Sequence, residues 1–515
     1  MALANTFTAT VEGMAAHMVT VEANVGPGLP GMHMVGLGDA AVKESRDRIR
    51  TAFANSRMAW PRTKIMVSLS PANLPKAGSH FDLPIALTVA ASLDPRAEAR
   101  LCRTMVMGEL ALDGSVRRVD GILPMLLKAY QPGGAVDAGV DTVIVPRANA
   151  HEAALVNRDN IVIVVADTLP QVWAWLLGQE QLHPPEAAVP AGAPIAGDTP
   201  DFSDIAGQLH ERQAMEIAAA GGHHVMMVGP PGSGKSMLAE RLPTILPPLT
   251  VAEQIETTAL HSAAGISRGG IVDRRPFIAP HPSLTKAELI GGGSGTPQPG
   301  AVSQAHNGVL FLDEASEIAA GVLDALRIPI EAEQVVLRRN RREVVYPARF
   351  QLILAANPCP CGKEADRCTC RPGNRARHLN NVSGPLRDRM DIFVTTTAQT
   401  AVVSPSGFES SADIAERVAA ARGRAKRRWA TIGLDTALNA RVSSTVIRRQ
   451  FPPDEETTAT LQHMLQTGGL TQRGVDKVLK LSWTIADLEG EKRPHIDHLD
   501  RALALRATDT LGVAA

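Results

Sequence analysis

The sequence predicts an α/β protein in three parts: an α/β domain over residues 1–183, a mostly parallel α/β domain over 201–400, and a helical region over 401–515. Three observations carry this. Short β-type runs alternate with helix-like stretches through both α/β parts, and after the linker this order implies a mostly parallel sheet. Apolar residues recur at helical spacing from about Ser411 onward. Residues 184–200, PPEAAVPAGAPIAGDTP, hold five prolines and no apolar period, the composition of a semi-extended linker.

In chain order, the expected N-terminal strands are Met18 to Val25, Lys64 to Leu69, Thr142 to Val145 and Ile161 to Val165, with helices from Asp39 to Ala54 and Asp82 to Ala91. After the linker come a helix from Ile205 to Ala220, a strand from His224 to Val228, a glycine loop and a second helix. Apolar strands follow at Val309 to Leu312 and Gln351 to Ala355. In the last part Val418, Ala421, Leu461, Leu465, Val478, Leu479, Ile485 and Leu488 mark the inward faces of helices, and the basic stretch Arg417 to Arg428 reads as a solvated face.

Composition excludes several classes. The 515 residues carry 44% hydrophobic and 20% charged side chains, the balance of a packed globular protein. A net charge of −1 rules out a polycationic nucleic-acid coat but leaves room for local basic patches. The most apolar stretch, Ile161 to Leu177, is interrupted by Asp167 and Pro170, so no membrane span is expected. The opening MALANTFTATVEG has neither the basic nor the apolar region of a secretory signal, and a cytoplasmic location is the default expectation.

Residues 229–236, GPPGSGKS, fit the phosphate-loop pattern G-x-x-x-x-G-K-[ST] at Gly229, Gly234, Lys235 and Ser236, with Pro230, Pro231, Gly232 and Ser233 between. An apolar strand precedes the loop and a helix follows, as the chemistry requires: backbone N–H groups and a helix N-terminus face the phosphates. Lys235 is expected to reach the β- and γ-phosphates of ATP, and Ser236 to ligate Mg²⁺. VLFLDE, residues 309–314, is a buried strand ending in two carboxylates. Asp313 suits Mg²⁺ held through water, and Glu314 suits the general base that polarises the attacking water.

Cys359, Cys361, Cys368 and Cys370 fall within twelve residues. Four thiolates on a short loop make a closed tetrahedral Zn²⁺ site with no open position, hence a structural one. Reduced structural cysteines and an iron–sulfur or redox role are the alternatives. Further upstream, β-branched runs flank Arg338, Arg339, Asn340, Arg341 and Arg342, predicting a hairpin with a basic tip; a solvated turn is the plain alternative. Gly291 to Gly300 is a second candidate loop.

The order GPPGSGKS, NGVLFLDEA, LILAANPCPCG, SGPLRDRMD resembles the AAA+ ATPases, and within them the magnesium-chelatase-like group that contains the ComM/YifB family. RPFIAPHPSLTKAELIGGG and GLPGMHMVGLGDAAVKESRDRIR add to the resemblance, which runs from residue 6 to about 510. It implies that Asn357 is the sensor-1 residue orienting the lytic water. It implies likewise that Arg389 is an arginine finger offered to a neighbouring subunit, and that Arg473 is the sensor-2 arginine of a helical lid. A trans-acting finger implies a homo-hexameric ring. Related helicases carry a hairpin in the ring channel at the position of Arg338, Arg339, Arg341 and Arg342, where arginines suit DNA phosphates. Two positions depart from the group's pattern, Pro282 in a loop and Trp483 in the lid.

Residues 64–92 and 106–152 resemble the Lon protease domain, but the nucleophile position falls on His80, with Ser79 one residue early, and the dyad lysine position falls on Leu123. A serine without a base is a weak nucleophile, so a non-proteolytic scaffold is expected. The function the resemblance implies is a ComM-like DNA motor, a helicase driving branch migration in homologous recombination during natural transformation. A chelatase-type motor for metal insertion into tetrapyrroles, an ATP-dependent protease and a nucleotide-dependent switch are the competing classes.

Overall fold

The computed structural model describes residues 2–507 except 37, 39, 75, 77, 157–159, 187–199, 267–269, 294–296, 340–341, 364–367 and 398–408. The N-terminal part is built on a seven-stranded mixed sheet. Its strands are β1 (Ala2–Glu12), β2 (Ala15–Gly26), β3 (Gly31–Val35), β4 (Lys64–Ser70), β5 (Thr104–Val106), β6 (Thr142–Pro146) and β7 (Val162–Ala166), in the order β3-β4-β2-β1-β5-β6-β7. In β2, Val19, Val21, Ala23 and Val25 point inward at the period of two a half-buried strand requires. Helices α1 (Ala40–Asn55), α2 (Asp82–Ala91) and α3 (Ile122–Ala129) pack on this sheet, α2 so deeply that all its residues are buried. The strand β1 was not expected: ALANTFTATVE is mostly Ala and Thr, and its hydrophobic signal is weak.

The central sheet has five strands, all parallel. They are β8 (Val225–Val228), β9 (Phe277–Ile278), β10 (Val309–Leu312), β13 (Gln351–Ala356) and β14 (Ile392–Thr395), in the order β9-β10-β13-β8-β14. Between β10 and β13 the chain makes an antiparallel hairpin of β11 (Gln334–Arg339) and β12 (Arg342–Pro347). Because both faces of the sheet are covered, its strands are continuous apolar runs: Val225 and Met227 face one core cluster, Met226 and Val228 the other. The chain order reverses around β8, and in such sheets ligands bind beyond the carboxyl ends of the strands at that point.

Helices α4 (Leu209–Gly221), α5 (Lys235–Ile245) and α6 (Val251–Ala263) cover the sheet. The first begins four residues later than expected, because Asp201 caps a short 3-10 turn at Phe202–Asp204 and Gln208 takes a left-handed φ of 50°. The C-terminal part comprises α7 (Ser411–Ala430), α8 (Ser444–Gln450), α9 (Glu455–Gln466), α10 (Gln472–Glu489) and α11 (Ile496–Ala504). It shares one apolar core with the sheet, in which Trp429, Phe451 and Trp483 meet edge to face.

The basic stretch of α7 is not a solvated face. Arg417 pairs with Glu216 at 2.7 Å, Arg422 donates to the carbonyl of Ala219, and Arg428 pairs with buried Asp487 at 2.6 Å while stacking on Trp483. Lys426 and Arg427 alone of its basic residues are exposed. Charge density misled the reading because long arginine stems pack while their heads find partners.

The two α/β parts touch through α6 and the hairpin. Ser262 donates from Oγ to the buried carboxylate of Glu152 at 2.7 Å, and its carbonyl accepts from the N–H of Gly121 at 3.1 Å. Met14, Leu260, Leu337, Val344 and Tyr346 form a small cluster at the hairpin base. Among the described residues, no helix is long and apolar enough to cross a membrane.

Candidate active site

The phosphate loop joins β8 to α5. Gly232 and Gly234 have φ of 76° and 83°, a region that favours glycine. At Gly229 the requirement is space, since a Cβ would lie 2.0 Å from Thr396 Oγ1. At Gly232 a Cβ would meet nothing within 4 Å, so that side of the loop is open to a ligand. Ser233 Oγ bonds Thr396 Oγ1 at 2.6 Å, and Gln208 Nε2 donates to the Ser233 carbonyl at 2.8 Å. Gln208 and Thr396 thus shape the loop, and sequence reading missed both: neither belongs to a motif, and they lie 25 and 163 residues from Ser233.

Lys235 is buried, with Nζ donating to the carbonyls of Gly229 and Pro230 at 2.8 and 2.9 Å and lying 3.4 Å from Asn357 Oδ1. Burial lowers its pKa, opposed by Asp313 and Glu314. Ser236 Oγ donates to Asp313 Oδ2 at 2.8 Å, so the loop hydroxyl and the strand-end carboxylate form one oxygen donor pair, the chemistry Mg²⁺ selects. The N–H of Glu314 donates to Asp313 Oδ1 at 2.8 Å, and Glu314 is exposed with a left-handed φ of 47°. A glutamate held there is strained, a condition concentrated at functional sites. The three strand ends are fixed to one another: Gly229 N–H donates to Ala356 O, Ala315 N–H to Ala355 O.

Lys235, Ser236, Asp313 and Asn357 therefore meet, with Glu314 beside them, while Arg389 and Arg473 stand elsewhere. Arg389 is held by Glu331 at 2.7 Å and by the carbonyls of Pro385 and Arg327; Arg473 is exposed, 3.9 Å from Asp388. Both line a cavity of about 1270 Å³ with Arg441 and Lys480, to which no residue of 229–236, nor Asp313, Glu314 or Asn357, contributes. Behind Arg389, buried Asp391 receives Lys477 Nζ at 2.6 Å.

The cysteine sulfurs all lie within 4.8 Å of one another, with contacts of 3.1 Å (Cys359 to Cys361), 3.4 Å (Cys368 to Cys359) and 3.7 Å (Cys361 to Cys368). The hairpin tip lies partly outside the described residues: Asn340 and Arg341 are not described, nor are the side chains of Arg339 and Arg342. Arg338 is exposed and pairs with Glu343 at 2.6 Å. In the N-terminal part His80 is buried with Nε2 2.9 Å from Ala9 O, Leu123 is fully buried, and Ser79 Oγ donates to Glu109.

A parallel sheet with a phosphate loop at its switch point, an acidic strand end and a helical C-terminal region defines a magnesium-chelatase-like AAA+ protein. Three family models match the chain: "Subunit ChlI of Mg-chelatase" over residues 21–149, "Magnesium chelatase, subunit ChlI" over 201–403, and "Magnesium chelatase, subunit ChlI C-terminal" over 408–506. The chain belongs to the ComM/YifB family of these proteins. It is 44% identical to an uncharacterized protein of Mycobacterium tuberculosis, with 99% of each chain covered. To the uncharacterized protein YifB of Escherichia coli it is 38% identical over 99% of this chain and 98% of that one. To the competence protein ComM of Haemophilus influenzae it is 37% identical over 98% of each.

Proposed function

We propose that the protein is an ATP-driven DNA motor of the ComM kind: a homo-hexameric AAA+ ring that hydrolyses ATP, translocates on DNA and drives branch migration during recombination. The observation that carries it is the meeting of Lys235, Ser236, Asp313 and Asn357 at the carboxyl ends of β8, β10 and β13. Lys235 binds the β- and γ-phosphates, Asn357 orients the lytic water and Glu314 takes its proton. Ser236 and Asp313 hold Mg²⁺, which when bound neutralises charge on the phosphates. Arg389, on a separate cavity, acts on the nucleotide of a neighbouring protomer, completing a site that one chain leaves open, and Arg473, on the same cavity, is the sensor-2 arginine of the helical lid.

The DNA assignment rests on the hairpin β11–β12, whose tip carries Arg338, Arg339, Arg341 and Arg342. Zn²⁺ at the four cysteines is the structural cofactor of this reading. Residues 1–183 serve as a Lon-like scaffold without proteolysis, because Leu123 supplies no base and the His80 ring is engaged with Ala9. Chelatase subunits fit less well: the magnesium-chelatase 38 kDa subunit of Cereibacter sphaeroides is 27% identical over 30% of this chain, against nearly full-length coverage by YifB and ComM. The test is ATP turnover with and without DNA. Stimulation by DNA is expected; turnover indifferent to single-stranded and branched DNA argues against the motor.

A further inference from the structure

The cysteine loop lies between Asn357, the residue after β13, and the helix Pro372–Asn380, and at Gly362 it reaches back to the phosphate loop. Gly362, between the second and third cysteines, has φ of 69°, and its N–H donates to Cys359 O at 2.9 Å. A Cβ at Gly362 would lie 2.9 Å from Pro231 Cγ and 3.0 Å from Cδ. Pro231 is the third residue of GPPGSGKS. The knuckle is therefore in van der Waals contact with the loop that cradles phosphate, and only glycine permits so close an approach.

The sulfur geometry fits a metal. Zn–S bonds of about 2.3 Å in a tetrahedron place sulfurs about 3.8 Å apart. The closest pairs here, at 3.1 to 3.7 Å, are near that edge and far beyond the roughly 2.05 Å of a disulfide. Cys359 is buried and the other three are half-buried, so the site is closed by the protein on one side.

We infer that the four thiolates hold one Zn²⁺ and that the closed knuckle braces the phosphate loop through Gly362 and Pro231, making nucleotide affinity depend on the metal. This rests on the ATPase reading above. Binding releases the thiol protons to solvent. None of the four cysteines needs to touch nucleotide: the metal fixes Cys359 and Cys361, which flank Gly362 on its N-terminal side, and the position of Gly362 fixes Pro231.

The experiment uses the full chain, purified without chelator. Elemental analysis is expected to find about one zinc per chain, independent of nucleotide. Zinc-free protein with four titratable thiols in this cluster would overturn the site. Affinity for a fluorescent ATP analogue is then compared among wild type, wild type stripped of zinc, Cys368→Ser/Cys370→Ser and Gly362→Ala. Stripping, and the cysteine change, should each weaken binding about tenfold, inside the usual range for coupled sites. Gly362→Ala should keep its zinc and lose a similar factor, because the new methyl displaces Pro231. Should the cysteine variant fail to fold, stripped wild type and Gly362→Ala decide the matter. Unchanged affinity in both would overturn the brace and leave the metal standing. Wild type that carries zinc but binds no nucleotide would refute the ATPase reading, and the brace with it, while the metal site survives.

Discussion

Lys477 in α10 joins the helical part to the segment that carries Arg389, and replacing it with methionine is the most informative single perturbation. Its side chain is 18% exposed, and Nζ donates to Asp391 Oδ1 at 2.6 Å and to the carbonyls of Arg389 and Met390 at 2.8 and 3.3 Å. Burial pushes the Asp391 carboxyl up, but Lys477 together with His223 more than reverses this and holds it well below the usual carboxylate range. Removing one partner of a buried pair costs about 3–5 kcal/mol, because the other charge is stranded. Asp391 keeps the His224 N–H at 3.0 Å and His223 at 3.6 Å, which places the loss near the lower end, about 3 kcal/mol.

Hydrogen exchange of the amides of α10 and β14 reads this loss locally, which matters in a long chain with several separate apolar clusters, where one unfolding free energy is ill defined. Lys477→Met should raise their exchange by roughly two orders of magnitude. Adding Asp391→Asn should restore most of the protection, since no charge is then left unpaired. Because the Asp391 pKa is depressed on folding, its contribution is complete above the unfolded value of about 3.9 and fades as pH falls through the folded value. Protection in Lys477→Met within about 0.5 kcal/mol of wild type, or a double variant no better than the single one, would refute the argument.

Other predictions follow from the site. Lys235→Ala should abolish nucleotide binding, while Glu314→Gln should bind ATP and stall, as equilibrium binding and turnover would distinguish. Arg389→Ala should slow turnover by roughly three to five orders of magnitude; mixed with Lys235→Ala protein it should regain part of it, and no recovery in rings shown to be mixed would exclude a trans role. Burial lowers His224 to about 4, and its Nδ1 accepts from the Leu352 N–H at 3.0 Å, so the ring folds neutral. Stability should therefore fall as pH drops from about 6.5 toward 4, and His224→Gln should flatten that part of a thermal-unfolding pH series. Changing Arg338, Arg339, Arg341 and Arg342 to alanine should lower the log–log salt slope of DNA binding by about 0.7 to 0.9 per lost phosphate contact. Casein should remain intact with ATP present; cleavage lost on changing Ser79 would reverse the scaffold assignment.

What could be read in advance was local chemistry. GPPGSGKS and VLFLDE each place strand, turn and reactive group within a few residues, so Lys235, Ser236 and Asp313 were legible, and their meeting is what the parallel register of β8, β10 and β13 enforces. The hairpin showed itself through its flanking β-branched runs. Hidden from the sequence were contacts spanning long separations: Gln208 and Thr396 on the phosphate loop, Gly362 on Pro231, Lys477 on Asp391. Arg422 looked like surface because its chemistry is polar, yet its guanidinium is enclosed and bonded to a helix-end carbonyl. In β1, threonine and alanine gave too little hydrophobic contrast to mark a strand that pairs along its whole length with β2.

Whether ATP hydrolysis by this protein moves DNA can be read on a four-way DNA junction with one labelled arm. Wild-type protein with ATP and Mg²⁺ should convert the junction to forked duplexes, and a non-hydrolysable ATP analogue should not support conversion. Glu314→Gln should bind the junction without moving it. Conversion by Glu314→Gln, or an intact junction beside vigorous ATP turnover by wild type, would show that hydrolysis does not drive branch movement.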